Sequence, residues 1–456
     1  MRSLGRITHD FPRSILSIAI PFPRCYTIPM EIAGAVGSGI WELIKALDWL
    51  FAILLFILCF YIFRSAWGFW REESYKNSRA MLPWVFFEIK VPREVLKGPK
   101  AMEQFFQSIG ALKNGPKGFG KKWWEGEVCR WHVIDIVGTN NSVRFYVRTS
   151  SRISEAFAGL LYAQYPEIEI VESEDYFPKE FPATYNELSD QGYEIWGNEL
   201  FQTHNPAISI RVYSEFEQES GDEKGRIIDP FSTLLELIGN LKPDEKLLIQ
   251  FVIVPDIHHH WEHGADHLLE KYRDTTQQIG HDNEGKPQYK FRFRTPAEES
   301  TIKRIEDKLE RANFETTIRY MYLAPKGIFN FNVGYRGVQT FFNQFRHDKQ
   351  TLERNYEVMT KTEWYYFPWF FNGTRGYYRR KVFYDEFKNR FQPEETIAGK
   401  LYNSYFFKWC FHHKPCILSS EELATLIHIP TNVVLTQSTM DRIESKRLAT
   451  PSNLPS

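Results

Sequence analysis

Neither sign of charge dominates the 456-residue chain, in which 56 Lys and Arg stand against 57 Asp and Glu. A global basic field of the kind that attracts nucleic acid is therefore excluded, and any such patch has to be local. Cysteine is scarce: Cys25, Cys59, Cys129, Cys410 and Cys416 are scattered, with no CxxC. That excludes a disulfide framework and a cysteine zinc site, and it suits a reducing compartment. Gly120-Lys-Lys and Gly399-Lys-Leu are not phosphate loops, because GxxxxGK[ST] needs both glycines, the lysine and the hydroxyl together. No nucleophile elbow is present, and no Ser or Cys has a local base partner. With 43% hydrophobic and 25% charged residues the chain is neither disordered nor a multi-span transporter. Its length allows two to four folded units.

Aromatic residues are in excess, at 16%, which points to large packed interfaces or a membrane boundary. The segment Trp49 to Phe63, WLFAILLFILCFYIF, carries no charge. Extended with its apolar flanks into residues 41–70, it reaches the roughly 20 residues that a bilayer span needs. Trp41, Trp49, Trp67 and Trp70 sit at its ends like an aromatic belt. Arg64, Arg71, Lys76 and Arg79 follow it while Lys45 alone is near its front, so Lys/Arg counting places the large C-terminal part in the cytoplasm. Residues 1–40 form an N-terminal segment of no assigned role.

Residues 82–175 read β-α-β-β-α-β. Val85, Phe87, Ile89 and Val91 alternate as a strand, and Pro99 opens a helix bearing Met102, Phe105, Phe106 and Ile109. Strands at Val128 to Ile136 and Val143 to Val147 follow, then a helix with Phe157, Leu160 and Leu161, then the strand Ile168 to Val171. This is the split-βαβ, ferredoxin-like order, an α+β class. After a polar connector, Ser173 to Pro206, residues 206–324 are expected to repeat it. Ile208 to Val212, Leu247 to Val254, Tyr289 to Phe293 and Phe314 to Leu323 are the expected strands, with a helical insertion over 256–287. Two tandem ferredoxin-like units behind a transmembrane helix are thus predicted, followed by a helical, aromatic and basic region, 325–418, and a C-terminal segment, 419–456.

Three stretches carry candidate chemistry. Trp364 to Phe371 places seven aromatics in eight residues, and Arg375 to Arg390 follows with six basic residues against two acidic ones. Trp369, Arg375, Arg379, Arg380 and Lys381 could meet lipid headgroups or single-stranded nucleic acid, or could form a solvated basic helix whose aromatics pack on the core. In His258 to His267 five histidines accompany two carboxylates, and His263 and His267 at i, i+4 could chelate a divalent metal. The motif is not HExxH, and an exposed histidine-rich helix start is the preferred account. No catalytic residue, no cofactor and no metal site is assigned.

The pieces Phe87-Glu-Ile-Lys-Val-Pro-Arg-Glu94, Pro99-Lys-Ala-Met-Glu-Gln104, Arg144-Phe-Tyr-Val-Arg-Thr149, Tyr162-Ala-Gln-Tyr-Pro166, Leu418-Ser-Ser-Glu-Glu-Leu-Ala-Thr-Leu426 and Arg442-Ile-Glu-Ser-Lys446 resemble a bacterial membrane-anchored family of uncharacterised domains. The resemblance runs from Pro83 onward. In that family similar regions lie in front of, or beside, ATPases of the type IV secretion or conjugative coupling class, and Glu421 to Pro455 is similar to the lead-in of such a motor. It implies a non-catalytic, single-pass docking or assembly subunit at the bacterial inner membrane that positions a coupling-type ATPase in trans, with nucleic acid at most an indirect partner. Leu423, Leu426, Ile427 and Ile429 are the expected apolar anchors of that contact. A general membrane-associated scaffold and a metal-dependent hydrolase using the histidine cluster stay open as alternatives.

Overall fold

A computed structural model describes residues 47–64, 66–67, 70, 82–92, 97–115, 118–123, 127–140, 142–219, 229–257, 259–281, 287–348, 350–361, 371–391 and 411–430. The chain divides into two units, Met1–Phe63 and Arg64–Ser456. In the first, helix α1 (Leu47–Arg64) has 18 residues at a mean hydropathy of 2.1, with none of it buried. At 1.5 Å per residue it is about 27 Å long, which matches a bilayer's hydrocarbon core.

The second unit begins with β1 (Trp84–Lys90), α2 (Pro99–Gly110), α3 (Phe119–Trp123), β2 (His132–Thr139), β3 (Ser142–Ser150), α4 (Ser154–Gln164) and β4 (Glu169–Ser173). It continues through α5 (Tyr176–Glu180), α6 (Tyr185–Asp190), β5 (Tyr193–Gln202), α7 (Tyr213–Glu219), α8 (Phe231–Gly239), β6 (Lys246–Pro255), α9 (Glu262–Arg273), β7 (Thr276–His281) and β8 (Pro287–Phe291). The last elements are α10 (Pro296–Glu310), β9 (Asn313–Pro325), α11 (Val338–Asn343), β10 (Leu352–Arg354), α12 (Asn372–Asn389), β11 (Cys416–Ser419) and α13 (Ser420–Leu426). Local chemistry sets the helix starts. Pro99 occupies the first turn of α2, and Thr295 with Glu298 and Ser419 with Glu422 close reciprocal capping boxes on α10 and α13.

Nine strands form one antiparallel sheet in the order β10-β5-β9-β6-β2-β3-β1-β4, with β11 added to β9. The order repeats. Strands β4-β1-β3-β2 on one side match β10-β5-β9-β6 on the other, and the two sets meet through β2 and β6, in register from His132 opposite Ile253 to Thr139 opposite Lys246. Helices α2, α4, α8 and α11 cover one face, burying Phe105, Phe157, Leu234 and Phe341 against Ile134, Phe145, Phe251 and Tyr320. On the other face α5, α6 and α12 bury Phe177, Leu188 and Phe383 against Val137, Leu248 and Met321.

Two separate sandwiches were expected, and one continuous sheet is found. The reason is in β2 and β6: both are buried on both faces under helix layers, so the N–H and C=O groups along their edges cannot turn to water, and each strand pairs the other's free edge. The second set also draws on other strands than expected. Ile208 to Val212 is not a strand, because its amides are taken elsewhere: Ile210 N donates to Glu422 Oε1 at 2.9 Å and Arg211 N to the Phe345 carbonyl at 2.8 Å. Its place is filled by β5, within the stretch read as a polar connector, where Asn198 and Glu199 mask the strand pattern by being polar and yet buried. Tyr289 to Phe293 does not enter the sheet either; β8 pairs with β7 in a separate ribbon. Region 325–418 is helical in α11 and α12 but also supplies β10 and part of β11 to the sheet.

Gly197 on β5 lies under α12, where a Cβ would stand 2.1 Å from the Phe383 ring. Gly197→Ala is therefore expected to lower the free energy of unfolding by about 1 to 3 kcal/mol through overpacking. Combining it with Phe383→Leu should recover part of the loss, which a double-mutant cycle in chemical denaturation would measure.

Candidate functional site

A polar row crosses the sheet beneath α12. Glu199 on β5 lies opposite Arg319 on β9, Arg319 opposite Gln250 on β6, Gln250 opposite Asp135 on β2, and Asp135 opposite Tyr146 on β3. Directly paired residues of an antiparallel sheet share a face, so register alone aligns these groups at the seam where the two strand sets join.

Two knots tie this row to the chain above it. In one, Asp135 accepts from Arg390 Nε at 2.7 Å, from Tyr176 Oη at 3.0 Å and from Gln250 Nε2 at 3.1 Å. Arg390 also donates to both oxygens of Asp175 at 2.8 Å, the bidentate geometry that a guanidinium favours. It ends α12 in the left-handed conformation, at φ 57°, and its carbonyl accepts from Trp131 Nε1 at 2.9 Å. Burial opposes the Arg390 charge, but Asp135, Tyr176 and Asp175 outweigh it and raise its pKa. Burial and the neighbouring Arg390 push Arg148 down to about 10.

In the second knot Arg319 Nε donates to Glu199 Oε1 at 2.6 Å, and its Nη1 to the Phe391 carbonyl at 2.7 Å. His413 Nδ1 lies 2.8 Å from Glu199 Oε2, and its Nε2 lies 3.5 Å from Glu386 Oε1 on α12. Burial alone would raise the Glu199 carboxyl, yet His413 and Arg319 hold it at about 2. Burial likewise disfavours charge on His413, but Glu199 and Glu386 overcome it and lift the imidazole to about 9.

Glu199, Glu386 and His413 bring ligand atoms within 4.8 Å of one another, a metal-like grouping among the described residues. The bonding is that of an ion triad instead. His413 Nδ1 faces Glu199 and Nε2 faces Glu386, and Arg319 holds the other Glu199 oxygen, so the three groups are already balanced as opposite charges. What the arrangement does is lock α12 and the 411–413 segment onto the sheet.

The residues singled out by sequence fall elsewhere. His263 and His267 are exposed on α9, and His258 and Trp369 lie outside the described residues. Arg375 and Arg379 are not surface cations, which corrects the expected basic face: they are 3% and 1% exposed. Arg379 donates to the Met359 carbonyl at 2.9 Å and the Glu357 carbonyl at 2.7 Å. Positions 375, 379, 383 and 387 form one i, i+4 line along α12, so the arginines continue the stripe that Phe383 and Phe387 bury. Arg380 is half-buried and held by Glu194 at 3.1 Å and Tyr185 Oη at 2.8 Å, whereas Lys381 is exposed. Nearby, a cleft of about 390 Å³ is walled by Trp196, Phe329 and Phe331.

A second correction concerns the C-terminal anchors. Leu423, Leu426, Ile427 and Ile429 are at most 3% exposed and belong to the core of this chain. They cannot form an intermolecular contact in this fold because β11 pairs with β9 and α13 packs on α2. Glu422 pairs with the buried Lys308 at 2.8 Å and Glu421 with Arg311 at 2.8 Å. Residues 431–456, with the rest of the lead-in, lie outside the described residues.

Glu199 and His413 were missed as site residues because their partners are distant in sequence. The signal available was a carboxylate in mid-strand, which is tolerated in a buried position only when paired. No protein-family model and no curated protein matches the chain.

Glu199→Gln leaves Arg319 buried beside a neutral amide and should cost about 3 to 5 kcal/mol in chemical denaturation. His413 has a folded pKa of about 9 against an ordinary 6.5, so its contribution is complete below about pH 6.5 and lost as pH rises through about 9. Wild type should lose stability over that window, and His413→Gln should show a flatter profile there.

Proposed function

We propose that this protein is a non-catalytic, membrane-anchored docking or assembly subunit. The observation that carries the reading is α1, an 18-residue apolar helix with no buried side chain, attached to a body in which Glu199, Arg319, His413, Asp135 and Arg390 are engaged with one another or with Glu386 and Asp175. Arg64 and the basic residues after it support a single-pass orientation with the body in the cytoplasm of a bacterial inner membrane. The motif resemblance supports a type IV secretion-like machine as the setting and a coupling-type ATPase in trans as the partner. Two ferredoxin-like units joined edge to edge are the architecture we infer, and the repeated strand order supports it.

With Leu423 and its neighbours internal, the ATPase contact moves to the outer face of α12, where Tyr377, Tyr378 and Lys381 are exposed. The two knots hold this helix rigid, which lowers the entropic cost of presenting a binding face. In a detergent pull-down read by mass spectrometry a coupling-type ATPase should copurify with the full chain, and Tyr378→Ala with Lys381→Glu should reduce its yield. Leu55→Arg should cost on the order of 2.5 to 3.5 kcal/mol of insertion and shift protein out of the carbonate-washed membrane. Persistent pelleting of that variant would sink α1 as the anchor, and absence of any ATPase would sink the docking role.

A further inference from the structure

The β7–β8 ribbon stands apart from the nine-stranded sheet, and its second strand with the residues after it is rich in aromatic and basic residues. From Pro287 to Arg294 the sequence reads PQYKFRFR, in which Tyr289, Phe291 and Phe293 alternate with Lys290, Arg292 and Arg294 and no carboxylate intervenes. Such alternation is the sequence pattern of a strand with one apolar and one polar side, and β8 itself ends at Phe291. In a core strand the apolar side would be covered. Here Phe291 is 62% exposed and Phe293 85%, and the two rings contact each other edge to face at 5.4 Å. The base of the ribbon is held in place: Arg292 pairs with Glu298 at 2.5 Å and Arg294 donates to the Arg273 carbonyl at 2.8 Å. These contacts tie the exposed rings to α9 and α10, so the rings are presented from a fixed base.

We propose that this ribbon is a second membrane contact, in which Phe291 and Phe293 enter the interface of an anionic bilayer while Arg292, which is paired with Glu298 but still 49% exposed, offers its remaining guanidinium donors to headgroups. The inference rests on the proposed anchoring by α1. Twenty residue steps separate Arg64 from Trp84 (84 − 64 = 20), a reach of at most about 70 Å, so an anchored body stays close to lipid. Aromatic rings favour the bilayer interface, and adjacent cations add attraction to the anionic cytoplasmic leaflet. Single-stranded nucleic acid could also stack on these rings, but among the described residues α1 brings a bilayer within reach and no element does the same for nucleic acid.

The test uses the full chain in nanodiscs of phosphatidylcholine with and without phosphatidylglycerol, both carrying quencher-labelled lipid. Phe293→Cys is labelled with a fluorophore, with the signal of the parent protein subtracted, and Lys381→Cys serves as the exposed control. Native Cys59 in α1, isolated by comparison with Cys59→Ser, reports the anchor. Severalfold stronger quenching at 293 than at 381, growing with the anionic lipid, is the expected result. Hydrogen exchange over residues 276–294 of the unsubstituted protein should slow in the same discs. Quenching at Cys59 without quenching at 293 or slowed exchange would overturn the ribbon contact while leaving the anchor. Quenching at neither position would remove the anchor and the ribbon contact together. A label at 293 that responds to single-stranded DNA, or to rising protein concentration, but not to lipid would assign the rings to nucleic acid or to a second copy of the chain, and would equally overturn the proposal.

Discussion

The interaction on which the rest depends is the buried row of unlike polar groups, Glu199, Arg319, Gln250 and Asp135, laid across the seam between β6 and β2. A buried ion pair contributes little net stability compared with apolar packing, because desolvation of both charges offsets their attraction. What it does impose is register. Sliding any one of these strands by a residue would turn its polar group to the opposite, apolar face and leave a charge unpaired. An antiparallel sheet joined at its centre from two similar sets of strands needs such a device. A strand with only apolar residues, without a group such as Gln250 in the middle of β6, would tolerate a slip more readily.

The same row explains why α12 and the segment after it are part of the body. Gln250 donates to the Phe387 carbonyl and Arg148 on β3 to the Asn389 carbonyl, while Arg319 reaches the Phe391 carbonyl just beyond the helix and Arg390 donates to Asp135. Sheet side chains thus satisfy the last carbonyls of a long helix, groups that have no partner within the helix itself. Arg375 and Arg379 extend the scheme toward the helix start. Cations that a linear reading assigns to an external partner act here as internal struts, and only the outward positions remain for contact. That division also governs the C-terminal block, whose two acidic residues meet Arg311 and Lys308 while its leucines fill the space between α2 and the sheet.

Much of the first strand set was legible. Its period-two strands, the Pro99 helix start and the Phe157 to Leu161 helix are encoded in short windows, where spacing and burial agree. The capping box of Thr295 with Glu298 was legible for the same reason, since both partners lie within four residues. Strand β5 was not legible, because Asn198 and Glu199 look like connector residues until Arg319, His413 and the backbone around them are in place. The knots were invisible in the sequence, as Asp135 and Arg390 are separated by 255 positions.

By itself the sequence determined the apolar helix α1, the four strands and two long helices of residues 84–173, the Thr295 cap and the aromatic and basic alternation of residues 287–294. Each of these depends on neighbours within a turn or a strand. Tertiary structure alone decided that two strand sets become one sheet, that Leu423 and Leu426 are core, that Arg375 and Arg379 point inward, and that Phe291 and Phe293 stay outside. The physical reason is common to all four: whether a side chain is buried or exposed depends on what the fold places against it, and those partners come from distant parts of the chain.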